Sequence, residues 1–143
     1  MSAAEKEVQR VRVSACMASA QDWASCTDDI QAKVLTVDES RHSVEFLAKV
    51  AAGYRSGKHK HTCESSILVL QGRVRNETTG VEFGPGDFCY QPYNDIHDEH
   101  FLEETIVYVS YRGHDDKLVE FYDEHGKVRE EFLLSEFGGM LPQ

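Results

Sequence analysis

The chain has 143 residues, a length that fits one domain with a single hydrophobic core. Twenty-five acidic residues against fifteen basic ones give a formal net charge of −10, which argues against a nucleic-acid or anionic-membrane partner because like charges repel. The longest apolar runs are short, such as Ile67–Leu70, whereas a membrane-spanning helix needs about 20 apolar residues.

The N-terminal region carries little hydrophobic pattern. Small residues surround a single Trp23, and we interpret residues 1–28 as an arm that packs on the main domain or on a partner subunit. Residues 29–143 then form one domain. The first residues mix charges and lack the apolar segment of a secretory signal, so a cytoplasmic location is expected.

The cysteines give a second indication of the compartment. No two of them form a CxxC pair, which argues against a structural zinc ribbon or a thioredoxin-like motif. Reduced thiols are expected in the cytoplasm, and because four is an even number, a secreted domain with two disulfides stays open as the alternative. The four are Cys16, Cys26, Cys63 and Cys89.

From Ile30 onward, polar and apolar residues alternate with a period near two, which predicts short strands. Turn residues separate these strands, and their close spacing predicts an antiparallel sandwich or barrel. Only Met17–Ala24 and Leu134–Phe137 are candidates for helices. After the strand that starts at Ile30, the predicted strands are Val44–Val50, Ile67–Leu70, Val74–Asn76, Asp87–Gln91, Thr105–Tyr111, Leu118–Tyr122 and Lys127–Phe132.

Three histidines form the most informative constellation. His59 and His61 are two residues apart, so on a strand both side chains project from the same face and can reach one metal ion. A third histidine from a neighbouring strand, His97, would complete the set and leave coordination positions open. His100 competes with His97, but it is expected to support the site or to lie on the surface.

These histidines lie in segments that resemble the two motifs of the cupin superfamily. The segment from Gly53 to His61 and the later Gly72 match G-x5-H-x-H…G, and the segment from Gly86 to His97 matches G-x5-P-x-G-x2-H. Asn94 replaces the glycine before the last histidine, and asparagine tolerates the left-handed conformation that such a turn needs. The resemblance implies an all-β fold, the RmlC-like cupin double-stranded β-helix or jelly-roll barrel, with a short N-terminal arm.

The first motif departs from the usual cupin pattern at its carboxylate. Cupins usually place a ligand Glu four or five residues after the second histidine, but Ser65 and Ser66 stand there and Glu64 comes one residue early. A shift of one residue turns a side chain to the opposite face of a strand, unless a β-bulge restores it. We therefore expect a metal site made by the three histidines alone, with Glu64 as the candidate for an extra ligand.

The wider sequence, from Trp23 to Phe137, resembles the cupin subfamily of 2,4'-dihydroxyacetophenone dioxygenase, which also includes the cupin domain of a zinc-binding anti-sigma factor. The tail FYDEHGKV is similar to acetylacetone dioxygenase. The resemblance implies an Fe(II) dioxygenase that cleaves a C–C bond of a diketone or hydroxy-ketone, with Zn, Ni or Mn as other candidate metals. Its partners would be a small-molecule substrate, dioxygen and a second copy in a homodimer. The alternative is a non-catalytic, Zn-bound sensor or regulatory module.

Further residues are candidates for the pocket. Gln91 precedes the loop that presents His97, and Tyr108 and Arg112 lie four residues apart on one strand face. On the strand before His97, alternate residues point to opposite faces. Either Cys89 and Gln91 or Phe88 and Tyr90 must therefore line the pocket. Cys63 is near the metal in sequence, either as a ligand or redox-active thiol or, in the simpler interpretation, as a small packed side chain.

Overall fold

The computed structural model describes residues 18–141, and it is an all-β structure, as predicted. A short 3₁₀ helix at Ala18–Ala20 precedes the strands, and one helix, α1 (Leu134–Gly138), follows them. The strands are β1 Ala24–Ser25, β2 Ile30–Asp38, β3 Ser43–Val50, β4 His59–His61, β5 Cys63–Gln71, β6 Val74–Asn76, β7 Glu82–Phe83, β8 Phe88–Gln91, β9 Ile96–His97, β10 Glu99–Phe101, β11 Thr105–Gly113, β12 Lys117–Tyr122 and β13 Val128–Leu133.

The strands form three antiparallel sheets. The largest has six strands in the order β1-β2-β3-β11-β5-β8, the second has four in the order β13-β12-β4-β9, and the third has three in the order β10-β6-β7. Most neighbours are far apart in sequence, so the chain crosses repeatedly between the two larger sheets. This topology is that of a β-sandwich or barrel, and it brings β4, β9 and β10 together from separate parts of the chain.

The alternating sequence of β3 shows why the six-stranded sheet forms. Its burial alternates residue by residue, with Val44, Phe46, Ala48 and Val50 buried and the residues between them partly exposed. Alternate side chains of a strand point to opposite faces, so one face of this sheet is apolar and packs inward. The inner faces of the two larger sheets meet in one core that includes Val109, Leu118 and Phe137.

Two turns depend on unusual backbone conformations. Asn94 has φ +68°, the left-handed conformation expected for the residue that replaces the cupin glycine. Gly72 has φ +92°, and a Cβ there would lie 2.5 Å from the Glu104 carbonyl oxygen. No side chain fits at that distance, so glycine is required where β5 turns into β6.

The two helix predictions have different outcomes. The C-terminal helix is confirmed as α1, whereas the prediction of a helix over Met17–Ala24 is wrong in the part that the structure describes. Only Ala18–Ala20 is helical there, and Ala24 joins β1 instead, paired with Ala32 of β2. Trp23 packs against the ammonium groups of Lys33 and Lys49, which lie 4.8 and 4.7 Å from its ring centroid, and it lies outside any helix.

Residues 1–17 of the predicted arm lie outside the described residues, and the division at residue 28 stays a prediction. The arm's remaining part contributes β1 to the six-stranded sheet. Among residues 18–141, no helix has the length and apolar character that crossing a membrane requires.

Candidate metal centre

The first two candidate ligands share the short strand β4. His59 and His61 are 3% and 2% exposed, and Lys60 between them is partly exposed, so both imidazoles point inward as their spacing predicts. β4 lies between β12 and β9 in the four-stranded sheet. His59 pairs directly with His97 on β9, and this register brings the third histidine to the same inner face.

The inward side chains converge on one point. Ligand-type atoms of His59, His61, His97 and Glu99 all lie within 4.8 Å of one another. The Nε2 atoms of His59 and His97 are 3.4 and 3.3 Å from the same Glu99 carboxylate oxygen. Four donors at such separations fit the first coordination shell of a single metal ion.

The outer nitrogens of two imidazoles are already engaged. The Nδ1 atom of His59 lies 3.0 Å from the carbonyl oxygen of Gly57, which only accepts hydrogen bonds, so Nδ1 donates. The Nδ1 atom of His97 lies 3.3 Å from a carboxylate oxygen of Asp95. Metal-binding histidines typically use their second nitrogen in this way, and the arrangement leaves Nε2 of both rings free to face the centre.

The third imidazole provides the direct test of whether a metal fits. Both ring nitrogens of His61 are buried without a hydrogen-bond partner among the described residues. A buried nitrogen without a partner costs free energy, and a metal ion at the centre would bind one of the two. The donor set of three imidazoles and a carboxylate therefore fits a divalent transition metal.

The members of the cluster differ in how the protein shifts their pKa values. Burial lowers the pKa of His61 well below its ordinary value, and neighbouring His59 and His97 lower it further. Burial opposes the charge of Glu99, but the imidazoles of His59 and His97 beside its carboxylate oxygen outweigh this effect and hold the carboxyl pKa well below its usual range. His61 is thus neutral and Glu99 ionised near neutral pH, which are the protonation states that bind metals.

Glu99 is the ligand-type residue that the sequence analysis missed. The pair Asp98-Glu99 reads as part of a solvated acidic edge, but the Glu99 side chain is only 16% exposed and faces the histidines. A signal was available, because Glu99 follows His97 by two residues, the same spacing that links His59 to His61. The expectation of a site without a carboxylate is therefore corrected.

Glu64, the proposed extra ligand, lies elsewhere. Its side chain is 50% exposed and pairs with Arg112 at 3.8 Å on the outer face of the six-stranded sheet. The register of β5 against β11 is regular at Glu64, its one irregularity falling between Ile106 and Val107, so no bulge turns Glu64 inward. The one-residue shift keeps this carboxylate away from the cluster.

Comparison with known families agrees with this geometry. The family model described as the ChrR Cupin-like domain matches residues 11–116 of the chain. The chain belongs to this family. The cupin resemblance expected from the two sequence motifs is thereby confirmed, and no curated protein matches the chain in addition.

Solved structures confirm the cupin fold. An RmlC-like cupin from Ralstonia eutropha has a TM-score of 0.76 and 18% identity, covering 89% of this chain and 83% of its own. A putative acetylacetone dioxygenase from Methylibium petroleiphilum has a TM-score of 0.76 and 17% identity, covering 92% and 96%. An acetylacetone dioxygenase from Acinetobacter johnsonii has a TM-score of 0.66 and 16% identity, covering 85% and 91%. At these identities the likeness shows the fold alone.

The other candidate residues divide between the two faces of the cupin sheet. Gln91 points inward and is 3% exposed, and its amide oxygen has no hydrogen-bond partner among the described residues. Tyr108 and Arg112 do not reach the cavity, because on β11 the residues of opposite parity, Val107, Val109 and Tyr111, line it. The Tyr108 hydroxyl donates to Glu45 instead.

The cysteine alternatives are also resolved. Cys89 has the inward parity of Gln91, because Phe88 and Tyr90 are 60% and 51% exposed. Cys63 is fully buried, and burial raises the pKa of its thiol to about 12. It is not part of the metal cluster, so it is a packed thiol, as in the simpler interpretation.

His100 is likewise outside the cluster. Its Nδ1 atom lies 3.4 Å from Glu77 and 3.4 Å from Arg75 of β6, so the choice of His97 over His100 agrees with the structure. The two side chains lie on different sides of the chain because three residues separate them across the break between β9 and β10.

Beside the cluster, the cupin interior contains a cavity. The cavity together with its opening to solvent holds about 650 Å³ of space between atoms. Its lining includes His59, His61 and Glu99 on one side and mostly apolar residues elsewhere. A small organic molecule placed there would contact the metal centre directly.

Proposed function

We propose that this cupin is a mononuclear metal-dependent dioxygenase that cleaves a C–C bond of a small diketone or hydroxy-ketone. The observation that carries the proposal is the buried cluster of His59, His61, His97 and Glu99 beside a largely apolar cavity that three of these side chains line. Two structural neighbours, an acetylacetone dioxygenase and a protein described as a putative one, support the reaction class.

The donor set suits Fe(II), and it also suits Zn, Ni or Mn, because imidazole and carboxylate ligands bind all of these ions. Bound here, iron would supply Lewis acidity toward the substrate oxygens and redox chemistry toward dioxygen. Of the protein groups, His59 and His97 are oriented by Gly57 and Asp95. This orientation holds the ligand nitrogens in place before any ion binds.

Glu99 changes the charge expected at this site. Three neutral histidines would leave the full charge of a divalent ion, whereas the ionised Glu99 carboxylate offsets one unit of it. An enolate substrate brings one further negative charge, so the ion, Glu99 and one enolate together would be neutral. A neutral assembly is the least costly one to bury in an apolar interior.

The proposal is tested with protein reconstituted anaerobically with Fe(II). We expect oxygen uptake with at least one β-diketone or aryl hydroxy-ketone of a panel that also includes small thiols, measured with an oxygen electrode. A His97→Ala variant treated in the same way controls for uptake by free iron. If no member of the panel stimulates oxygen uptake above that control, the dioxygenase proposal is wrong.

A second candidate function is a non-catalytic, Zn-bound sensor or regulatory module. One observation favours it, namely the complete set of four ligand-type side chains. Structural zinc sites are typically closed and four-coordinate, whereas catalytic sites keep an open position. In Co(II)-substituted protein, intense visible absorption that no added ligand perturbs would support the closed site and contradict the enzyme.

The assembly and location expected from the sequence remain proposals. A homodimer is supported by the edge strand β8, where Phe88 and Tyr90 are 60% and 51% exposed, because exposed apolar side chains on a sheet edge favour pairing. Light scattering tests this, and a strict monomer at micromolar concentration contradicts it. A cytoplasmic location is proposed as well, and fractionation of the native host checks it.

A further inference from the structure

The side chains that line the cavity are mostly apolar. Among the described residues, no lysine or arginine lines it, and the one charged side chain in its lining is Glu99. Ser56 and the phenols of Tyr54 and Tyr111 are the other polar groups apart from the histidines. The remaining lining side chains are apolar: Ile30, Phe46, Ala48, Val50, Ile67, Val74, Phe101, Val107, Val109, Val119, Phe121 and Phe132.

One guanidinium lies near this wall without joining it. The Cζ atom of Arg129 is 5.3 Å from the ring centroid of Phe121. Its Nη2 donates to the Ser56 carbonyl oxygen at 2.9 Å, and its Nη1 donates to Glu130 at 3.2 Å. Because the Arg129 guanidinium already donates to these protein acceptors, it is not available to pair with an anion inside the cavity.

We propose that the cavity selects substrates whose only polar part is the metal-binding head, and that it rejects compounds carrying a carboxylate, ammonium or phosphate on the rest of the molecule. This inference rests on the proposed function, because it names the substrate class of the same site. A charge moved from water into an apolar wall without a partner loses its hydration and gains nothing in return. Amino-acid thiols, which carry both charges, are excluded by the same argument.

The test compares two β-diketones of equal size and identical head, titrated into Co(II)-loaded protein and followed by visible absorption. 4,6-Dioxoheptanoate carries a carboxylate tail, and 7-methyloctane-2,4-dione carries an isopropyl group in its place. We expect the acid to bind at least about 100-fold more weakly. The free energy lost when an unpaired charge is buried is larger than the free energy of two successive tenfold changes in affinity. Equal behaviour of the two compounds, whether both bind or neither does, overturns the proposal.

A variant of the wall sharpens the test. Ile67 is partly buried and lines the cavity from β5, so Ile67→Lys places a cation there while Ile67→Met keeps the wall neutral. We expect Ile67→Lys to reduce the preference for the neutral diketone at least 10-fold, and Ile67→Met to retain it. An unchanged preference in a folded, Co(II)-loaded Ile67→Lys protein contradicts the proposal. Where that variant loses its metal, the comparison of the two diketones on the unmodified chain decides.

Failure of this inference is distinguishable from failure of the proposed function. The titrations measure binding to cobalt protein and involve no turnover, whereas the dioxygenase proposal depends on oxygen uptake by the iron protein. If the protein binds neutral diketones selectively but consumes no oxygen, the proposed selectivity of the cavity is supported and the proposed dioxygenase reaction is contradicted. If the protein consumes oxygen with charged and neutral substrates alike, the dioxygenase reaction is supported and the proposed selectivity of the cavity is contradicted.

Discussion

The two larger sheets of this cupin divide the work of the site between them. The six-stranded sheet is built largely from strands of eight or nine residues, such as β2, β3, β5 and β11, and it supplies most of the apolar wall of the cavity. The four-stranded sheet holds all three histidines on β4 and β9, which have three and two residues. Long strands therefore make the container, and short ones position the ligands.

The difference reflects how each kind of strand is held. A long strand buries a whole row of apolar side chains, and that burial stabilises it directly. The ligand strands bury polar imidazoles instead, so they depend on their neighbours. Backbone hydrogen bonds anchor β4 to the loop between β8 and β9, with the His61 N–H donating to the Asp95 carbonyl oxygen and the Asn94 N–H donating to the His61 carbonyl oxygen. The loop that contains Asn94 thus positions both His61 and His97.

Removing a ligand from the short strands should have the largest effect. We expect His97→Ala to weaken binding of Zn(II) or Co(II) by more than about 100-fold, because loss of a ligand should exceed the 10–100-fold cost of losing a residue that only orients one. His100→Ala, three residues away and outside the cluster, is the matched control and should retain the metal. Competition with a chromophoric chelator measures both, and equal losses in the two variants would place the site elsewhere.

The choice between two glutamates gives the next largest effect. Glu99→Gln keeps the side-chain volume and one oxygen but removes the charge that faces His59 and His97, so we expect metal affinity to fall about 10–100-fold, less than on complete removal of a ligand. Glu64→Gln, on the outer face, should change it less than twofold. The same chelator competition applies, and a loss at Glu64 rather than Glu99 would restore the motif-based expectation that the structure corrects.

A smaller effect is expected where the protein only orients a ligand. Asp95→Ala removes the acceptor of His97 Nδ1, and we expect metal affinity to fall about 10-fold. Asp95→Asn keeps an oxygen that can accept this hydrogen bond and should recover most of the loss. The Asp95 side chain is 44% exposed, so water can replace it in part. If the Asp95→Asn variant binds metal as weakly as Asp95→Ala, metal affinity depends on the charge of Asp95 and not on its orientation of the His97 ring.

The same division explains how much of the molecule the sequence could predict. Strands with regular alternation, such as β3 and β11, follow from periodicity because each buries one face. β9 and β10 are too short to show a period, so His97 was found through its motif and Glu99 was not found at all. Burial of Glu99 depends on pairing of β10 with β6, residues 99–101 against 74–76. Such a contact between distant segments leaves no local pattern in the sequence.

The smallest effect should come from the outer face of the long sheet. Tyr108 and Tyr111 lie three residues apart on β11, and only Tyr111 lines the cavity. The Tyr108 hydroxyl donates to Glu45 on the outer face of the sheet, and burial together with the neighbouring Glu45 carboxylate raises the pKa of Tyr108 to about 12.

We expect Tyr108→Phe to leave metal and diketone binding within about twofold and to lower the free energy of unfolding by about 1 kcal/mol, the usual net value of one hydrogen bond. Tyr111→Phe removes a hydroxyl from the cavity and should weaken diketone binding roughly 2–10-fold, the fold-change that one hydrogen bond represents. Denaturant unfolding and Co(II) titration measure the two quantities. If Tyr108→Phe changes diketone binding more than Tyr111→Phe does, the inner and outer faces of β11 have been assigned the wrong way round.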